Sequence, residues 1–125
     1  MLKDLDITRT AAVVPLPPDS WGKTVQVLTL SPGVIWFVTE MGSGLGVSPD
    51  MAAKHLSKAA RLMGDRLNGW LWYEGVYQWM IPFYEKPSWY KLQRQKTVSS
   101  KVIPVEKMEA VLKRIFPRYF KEIAA

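Results

Sequence analysis

Thr24-Val-Gln-Val-Leu-Thr-Leu-Ser-Pro-Gly-Val-Ile-Trp-Phe-Val-Thr39 is the stretch whose reading decides the fold. Its first half alternates, with Val25, Val27 and Thr29 on one face, which is the period of a half-buried strand. Ser31-Pro32-Gly33 follows, with proline and glycine at the central positions of a type II turn. Val34 to Thr39 is β-branched and aromatic, the composition a buried strand prefers. The two halves predict an antiparallel hairpin over about residues 24–39, and a hairpin begins a sheet.

Upstream, residues 1–20 read as an irregular leader, because Val14-Pro15-Leu16-Pro17-Pro18 favours extended backbone and forbids helix. Downstream, Glu40 to Val47 is a glycine-rich connection. Ser48 is then a good N-cap, Pro49 suits the first helical position, and Asp50 complements the positive end of a helix. Met51, His55, Ala59 and Leu62 share one face, so a helix is predicted over 49–63, ending near Gly64. Gly64 to Gly69 reads as a loop. Trp70 to Tyr84 fits two patterns. The density of aromatics favours strands on either side of Glu74-Gly75, while Trp72, Val76, Trp79 or Met80 and Phe83 also fit helical spacing. Lys86 to Ser100 is polar and irregular. Pro104 opens a final helix over 104–116, whose Val105, Met108, Val111 or Leu112, Ile115 and Phe116 form an apolar stripe.

These readings give an α+β domain over residues 21–125: a small antiparallel sheet begun by the 24–39 hairpin, with the 49–63 and 104–116 helices packed on one face. At 125 residues the chain is one domain with a sizeable core. It contains no cysteine, so disulfides, thiolate metal sites and cysteine nucleophiles are excluded. Its longest wholly apolar run, Val34 to Val38, is far shorter than a membrane span. Met-Leu-Lys-Asp-Leu-Asp at the start lacks the basic and apolar regions of a signal peptide. The expectation is a soluble, cytoplasmic protein with no membrane span and no cofactor.

Charge and aromatic residues are both unevenly placed. Residues 1–84 carry seven Lys/Arg and seven Asp/Glu, so the whole net charge of +6 lies in residues 85–125. Nine of the fifteen aromatic residues fall between Trp70 and Tyr90. A localised positive excess beside aromatic rings is the composition of a surface that attracts phosphates and stacks bases. It also suits an acidic protein surface.

The order of short motifs resembles an uncharacterised family of small domains encoded largely by bacterial mobile elements such as phages, plasmids and integrative elements. The residues that carry the resemblance are Trp21-Gly22, Gly33-Val-Ile-Trp-Phe-Val-Thr39, Gly42 to Ser48, Trp72-Tyr-Glu74 with Trp79, and Phe116-Pro-Arg-Tyr119. The resemblance covers roughly residues 21–125. It implies a mobile-element origin and supports the architecture, but it implies no chemistry. Two departures concern acid–base groups: Gly42 stands where the family often has a histidine, and Gly75-Val76-Tyr77-Gln78 stands where it tends to have acidic residues.

Three groups of residues are candidates for function. Gly42, Ser43, Gly44 and Gly46, leading to Ser48 at a helix start, have the composition of an anion-binding loop. The competing reading is a sharp strand-to-helix turn, since no Lys-Ser/Thr follows and no βαβ unit surrounds it. Trp89, Tyr90, Lys91, Arg94 and Lys96, with Lys113, Arg114 and Arg118, are the candidate nucleic-acid or partner-binding residues. Against this stands a solvated polar face with both rings folded inward. Glu74 and His55 are the acid–base groups a hydrolase-type enzyme would use. For each the competing reading is structural: a water-facing turn carboxylate, and a partly buried helical histidine. The functional expectation is a non-enzymatic accessory protein of a mobile element that binds an anionic macromolecule, nucleic acid first, through its C-terminal third. The alternative is a protein-binding inhibitor or adaptor acting on a host complex.

Overall fold

The computed structural model describes residues 14–97 and 103–124; the reading of the leader's first thirteen residues and of the polar stretch past Thr97 lies outside the described residues. The predicted hairpin is present. Strand β1 (Thr24–Ser31) pairs antiparallel with β2 (Val34–Thr39), and Pro32-Gly33 forms the turn between the paired Ser31 and Val34. A two-residue turn, Glu40-Met41, leads into β3 (Gly42–Val47). After two helices come β4 (Asp65–Leu67) and β5 (Trp70–Glu74), joined by Asn68-Gly69. Both turn residues have positive φ, 56° and 82°, as the tightest hairpin turns of this kind require. The five strands lie in the order β1-β2-β3-β5-β4, antiparallel throughout.

Two expectations are corrected here. Gly42 to Val47 is a strand in the middle of the sheet, paired to β2 on one side and β5 on the other. Gly64 to Gly69 is largely a short strand and its turn. Glycine is a poor strand former in general, so the reason must be tertiary. A Cβ at Gly44 would lie 2.5 Å from Cζ3 of Trp21, and one at Gly46 would lie 2.8 Å from Cζ3 of Trp72. Bare backbone at these two places is what lets two indole rings come so close to the sheet.

Among the described residues there are six α-helices, two between β3 and β4 and four after β5. They are α1 (Pro49–His55), α2 (Lys58–Leu62), α3 (Met80–Glu85), α4 (Pro87–Lys96), α5 (Val105–Ile115) and α6 (Pro117–Ala124). The predicted 49–63 helix is interrupted: Leu56 is extended, and Ser57 starts α2 by accepting a hydrogen bond from the Ala60 N–H. The predicted final helix corresponds to α5, and α6 continues beyond Pro117. The 70–84 segment is divided between its two readings, strand to Glu74 and helix from Met80. Pro87 at the first position of α4 turns much of the supposedly irregular 86–100 stretch into helix. Among the described residues no helix is long and apolar enough to cross a membrane.

The sheet has two covered faces. Val34, Trp36, Leu45, Val47, Leu71 and Tyr73 point toward the helices and form the main core with Ile81, Phe83, Trp89, Met108, Leu112 and Tyr119. On the other face Ile35, Phe37 and Trp72 are covered by Trp21, with Val14 and Trp70 alongside. Trp21 meets Trp72 edge-on at 5.8 Å. In the helical layer α4 packs on β1 and α3, α3 on α5, α5 on α6, and α6 on α2. The basic helix α4 is therefore at one end of this layer and α6 is toward the other.

Candidate functional site

The layer's arrangement leaves a cleft of about 700 Å³ between α4 and the sheet. Trp36 and Val38 of β2 form its floor, with Gly42 and Ser43 at the start of β3. Gly75 and Trp79, from the connection between β5 and α3, close one side; Tyr90, Lys91, Gln93, Arg94 and Gln95 of α4, with Thr97 just past its end, form the other. Its volume is in the range of pockets that hold a small molecule or one unit of a polymer.

Three aromatic side chains shape the apolar part. Trp36 meets Trp79 edge-on at 6.1 Å, and Trp79 lies 5.8 Å from Tyr90. Phe83 backs all three, at 5.8, 5.6 and 5.3 Å. The Tyr90 hydroxyl accepts a hydrogen bond from the Ile103 N–H, and the Trp79 indole donates to the Val76 carbonyl. These rings are fixed by their neighbours before any ligand arrives. Lys91 and Arg94 supply two positive charges to the wall, and the Arg94 guanidinium lies 5.7 Å from the centre of the Tyr90 ring. Ser43, Gln93, Gln95 and Thr97 add neutral polar groups, and none of the lining residues is acidic. An apolar aromatic floor under cationic and amide groups suits a flat ring that carries a negative group.

The cleft sorts the predicted residues. Tyr90, Lys91 and Arg94 converge there with Gly42 and Ser43, two residues proposed on different grounds. Lys96 lies on the same helix, exposed but not lining the cleft. Trp89 does not take part: it is only 4% exposed and packs against the His55 ring at 5.8 Å. Tyr90 is 6% exposed. The expectation of two uncovered rings side by side is thus corrected in favour of the competing reading: both are folded inward, Trp89 against His55 and Tyr90 against Trp79 and Phe83. Lys113 and Arg118 pair along their own helices with Glu109 and Glu122, at 3.8 and 3.9 Å. With Arg114 they belong to α5 and α6 and line no part of the cleft. The anion loop is also corrected. Gly44 and Gly46 are within strand pairing, and the Ser48 hydroxyl caps α1 by accepting from the Met51 N–H.

The two acid–base candidates are exposed. Glu74 ends β5, facing water, and its backbone N–H donates to the Gln78 side chain. His55 is exposed at the end of α1 rather than partly buried. The carboxylate in the most constrained setting is one the sequence reading did not single out, Glu85. One of its oxygens accepts from the Ser57 N–H at 2.7 Å, and the other from the Ser57 and Tyr119 hydroxyls at 2.5 and 2.6 Å. The Ser57 hydroxyl is at the same time the cap of α2, so it is committed to holding helix ends. Glu85 ties α2, α3 and α6 together. Burial and then the bond to Glu85 push the Tyr119 hydroxyl well above the usual tyrosine range. Burial does the same to Tyr73, whose hydroxyl donates to the Ala60 carbonyl. The spacing Phe116-Pro-Arg-Tyr119 held the only sequence signal for this cluster, and it gave no hint of Glu85.

No curated protein and no solved structure matches the chain. Residues 18–125, which take in Trp21 and run through α6, match a domain of unknown function, DUF7007. The matched span contains the whole sheet, all six helices and the cleft, and the chain belongs to the DUF7007 family.

Proposed function

We propose that this chain is a non-enzymatic accessory protein of a mobile genetic element that binds nucleic acid in single-stranded form at the α4 cleft. The observation that carries this reading is the convergence of Trp36, Trp79 and Tyr90 with Lys91 and Arg94 around one cavity free of carboxylates. A splayed base enters the aromatic floor, and the flanking phosphates meet Lys91, Arg94 and, further along the helix, Lys96. Stacking a base on such rings contributes about 1–3 kcal/mol and tolerates any sequence. A closed duplex cannot offer a base in this way, so single strands are favoured over double strands. Mobile-element origin rests on the motif resemblance, and the localised positive charge of residues 85–125 agrees with a polyanionic partner.

The test is fluorescence anisotropy with a labelled single-stranded oligonucleotide of mixed sequence, titrated with salt from about 50 mM upward, where counterion release makes phosphate contacts visible. Binding should weaken with salt, and each of Lys91→Ala and Arg94→Ala should lower the log–log slope by about 0.7, the value for one lost phosphate contact on a single strand. Lys113→Ala, on α5 away from the cleft, should leave the slope unchanged. Intrinsic tryptophan fluorescence should fall on binding, because Trp36 and Trp79 line the site. Absence of binding to DNA and RNA at about 50 mM salt ends this reading.

A further inference from the structure

The sheet's two edges are built differently. β4 is three residues long and carries Asp65 and Arg66, a short charged edge of the kind that discourages pairing with another strand. β1 at the opposite edge is eight residues long, and Thr24-Val-Gln-Val-Leu-Thr-Leu-Ser31 contains neither a charge nor a proline. Its register shifts occur near its ends, leaving Gln26 to Thr29 in regular pairing with Val38 to Ile35. Among the described residues no backbone group of β1 bonds to anything but β2. Val25 and Val27 are exposed, at 68% and 46%. The side chains there alternate between two environments. Val27 and Thr29 share the Trp21 face with Phe37 and Ile35, whereas Gln26 and Leu28 share the helical face with Val38 and Trp36, on the side where α4 packs.

From these observations we infer that β1 is a docking edge for an extended segment of another protein, added as a sixth strand, in which apolar β-branched residues alternate with acidic ones. Main-chain hydrogen bonds supply the pairing, and alternate side chains supply the choice of partner. The apolar residues lie beside Val27 and Thr29. The acidic residues fall on the helical face, next to the helix that carries Lys91, Arg94 and Lys96. No acidic residue occurs from Ser20 to Thr39 or from Lys86 to Lys96, so the strand and the helix beside it carry no carboxylate, and Glu40, at the strand's start, accepts from the Lys23 N–H. The same charges argue against a second copy of this chain as the occupant, since a two-fold pairing of β1 would bring two basic α4 helices together.

The experiment measures anisotropy of a peptide of four Val-Glu repeats, blocked at both ends and labelled with a neutral dye, on the intact chain. The alternating peptide should bind. A peptide of the same composition with its valines and glutamates in two blocks should bind at least about tenfold more weakly, as should one N-methylated at alternate valines, because each loses two or more main-chain or register-dependent contacts. The double variant Val25→Asp/Val27→Asp, at two exposed positions, should lose the peptide to a similar degree and keep its affinity for single-stranded oligonucleotide. Equal binding of all three peptides would mean that charge alone is read, and would overturn the inference. So would no binding of the alternating peptide, or a concentration-dependent dimer in sedimentation that the double variant abolishes. Because the N-methylated peptide is measured on the parent chain, the result does not depend on the variant folding, and the oligonucleotide arm separates this edge from the cleft.

Discussion

Replacing Gly44 by alanine tests the reason for the glycines in β3. In an ordinary strand interior this substitution stabilises by roughly 0.5–1 kcal/mol, since alanine loses less backbone freedom on folding. Here the opposite sign is expected. The new methyl would lie 2.5 Å from Cζ3 of Trp21 and 2.7 Å from the Tyr73 carbonyl oxygen, against about 3.5–4.0 Å for relaxed carbon contacts. The indole must retreat by about an ångström or more, from a seat where it meets Trp72 edge-on and its own carbonyl accepts from the Thr39 hydroxyl. Overpacking of this kind costs about 1–3 kcal/mol, and complete loss of a buried tryptophan ring about 3–5 kcal/mol. A net cost near 3 kcal/mol corresponds, for a chain of this length, to a fall in Tm of roughly 10 °C. Thermal melts followed by circular dichroism read this directly. A second melt in the Trp21→Ala background separates ring displacement from contact with the carbonyl. With the ring gone, Gly44→Ala should cost at least about 1 kcal/mol less, the coupling expected of touching residues. A variant that melts within about 2 °C of the parent, or costs the same in both backgrounds, would refute the argument that β3 is glycine-rich to seat indoles.

Two further predictions concern the tyrosines behind the helices. Tyr119→Phe removes a donor from Glu85 while leaving Ser57 in place, so it should cost about 1.5 kcal/mol in urea unfolding with an unchanged slope. Tyr84→Phe, which removes a bond from a half-buried tyrosine to Glu109, should cost less. Stability should also fall at high pH. The Tyr73 and Tyr119 hydroxyls hold their protons in the folded chain beyond the ordinary value of 10.0, whereas the unfolded chain releases them near that value. Their contribution is therefore complete below about pH 10 and lost as pH rises above it. Urea midpoints between pH 8 and 11.5 should decline only in the upper part of the range, and Tyr119→Phe should flatten the decline. A decline of equal steepness in that variant would contradict the assignment.

How far the fold was legible depends on whether the cause of each element is local. The β1–β2 hairpin is written in neighbouring residues, alternation on either side of Pro32-Gly33, and it was read correctly. α5 carries its apolar stripe in its own eleven residues. β3 does not: the cause of its glycines is Trp21, more than twenty positions earlier, and Trp72, more than twenty later. The Asn68-Gly69 turn was a local signal available to the reading, masked by the brevity of β4. α4 was missed because its ten residues hold only three large apolar side chains, Trp89, Tyr90 and Leu92, too few to mark a stripe. Their rings serve different neighbours, Trp89 meeting His55 and Tyr90 meeting Trp79 and Phe83. For the same reason only one of the two adjacent rings, Tyr90, lines the cleft.

The residues that carry the family resemblance divide by what packing explains. Trp21, Trp72 and Tyr73 are core, Gly44 and Gly46 make room for two of those rings, and Tyr119 is held by Glu85. Each of these would be needed by the fold whatever the protein binds. Gly42 and Trp79 are different: Gly42 is exposed, Trp79 is only half-buried, and both face the cleft. A core has no use for a tryptophan with one side uncovered, because a smaller apolar residue could back Phe83 and Trp36 from that position at less cost in exposed ring. Bare backbone at Gly42 leaves open space beside the cavity, whereas Gly75 is kept bare by the fold, since a Cβ there would collide with the Ser43 carbonyl. Of the pattern left over after the fold is accounted for, Gly42 and Trp79 lie at the cleft wall, and a smaller apolar residue at Trp79 should alter binding more than the melt.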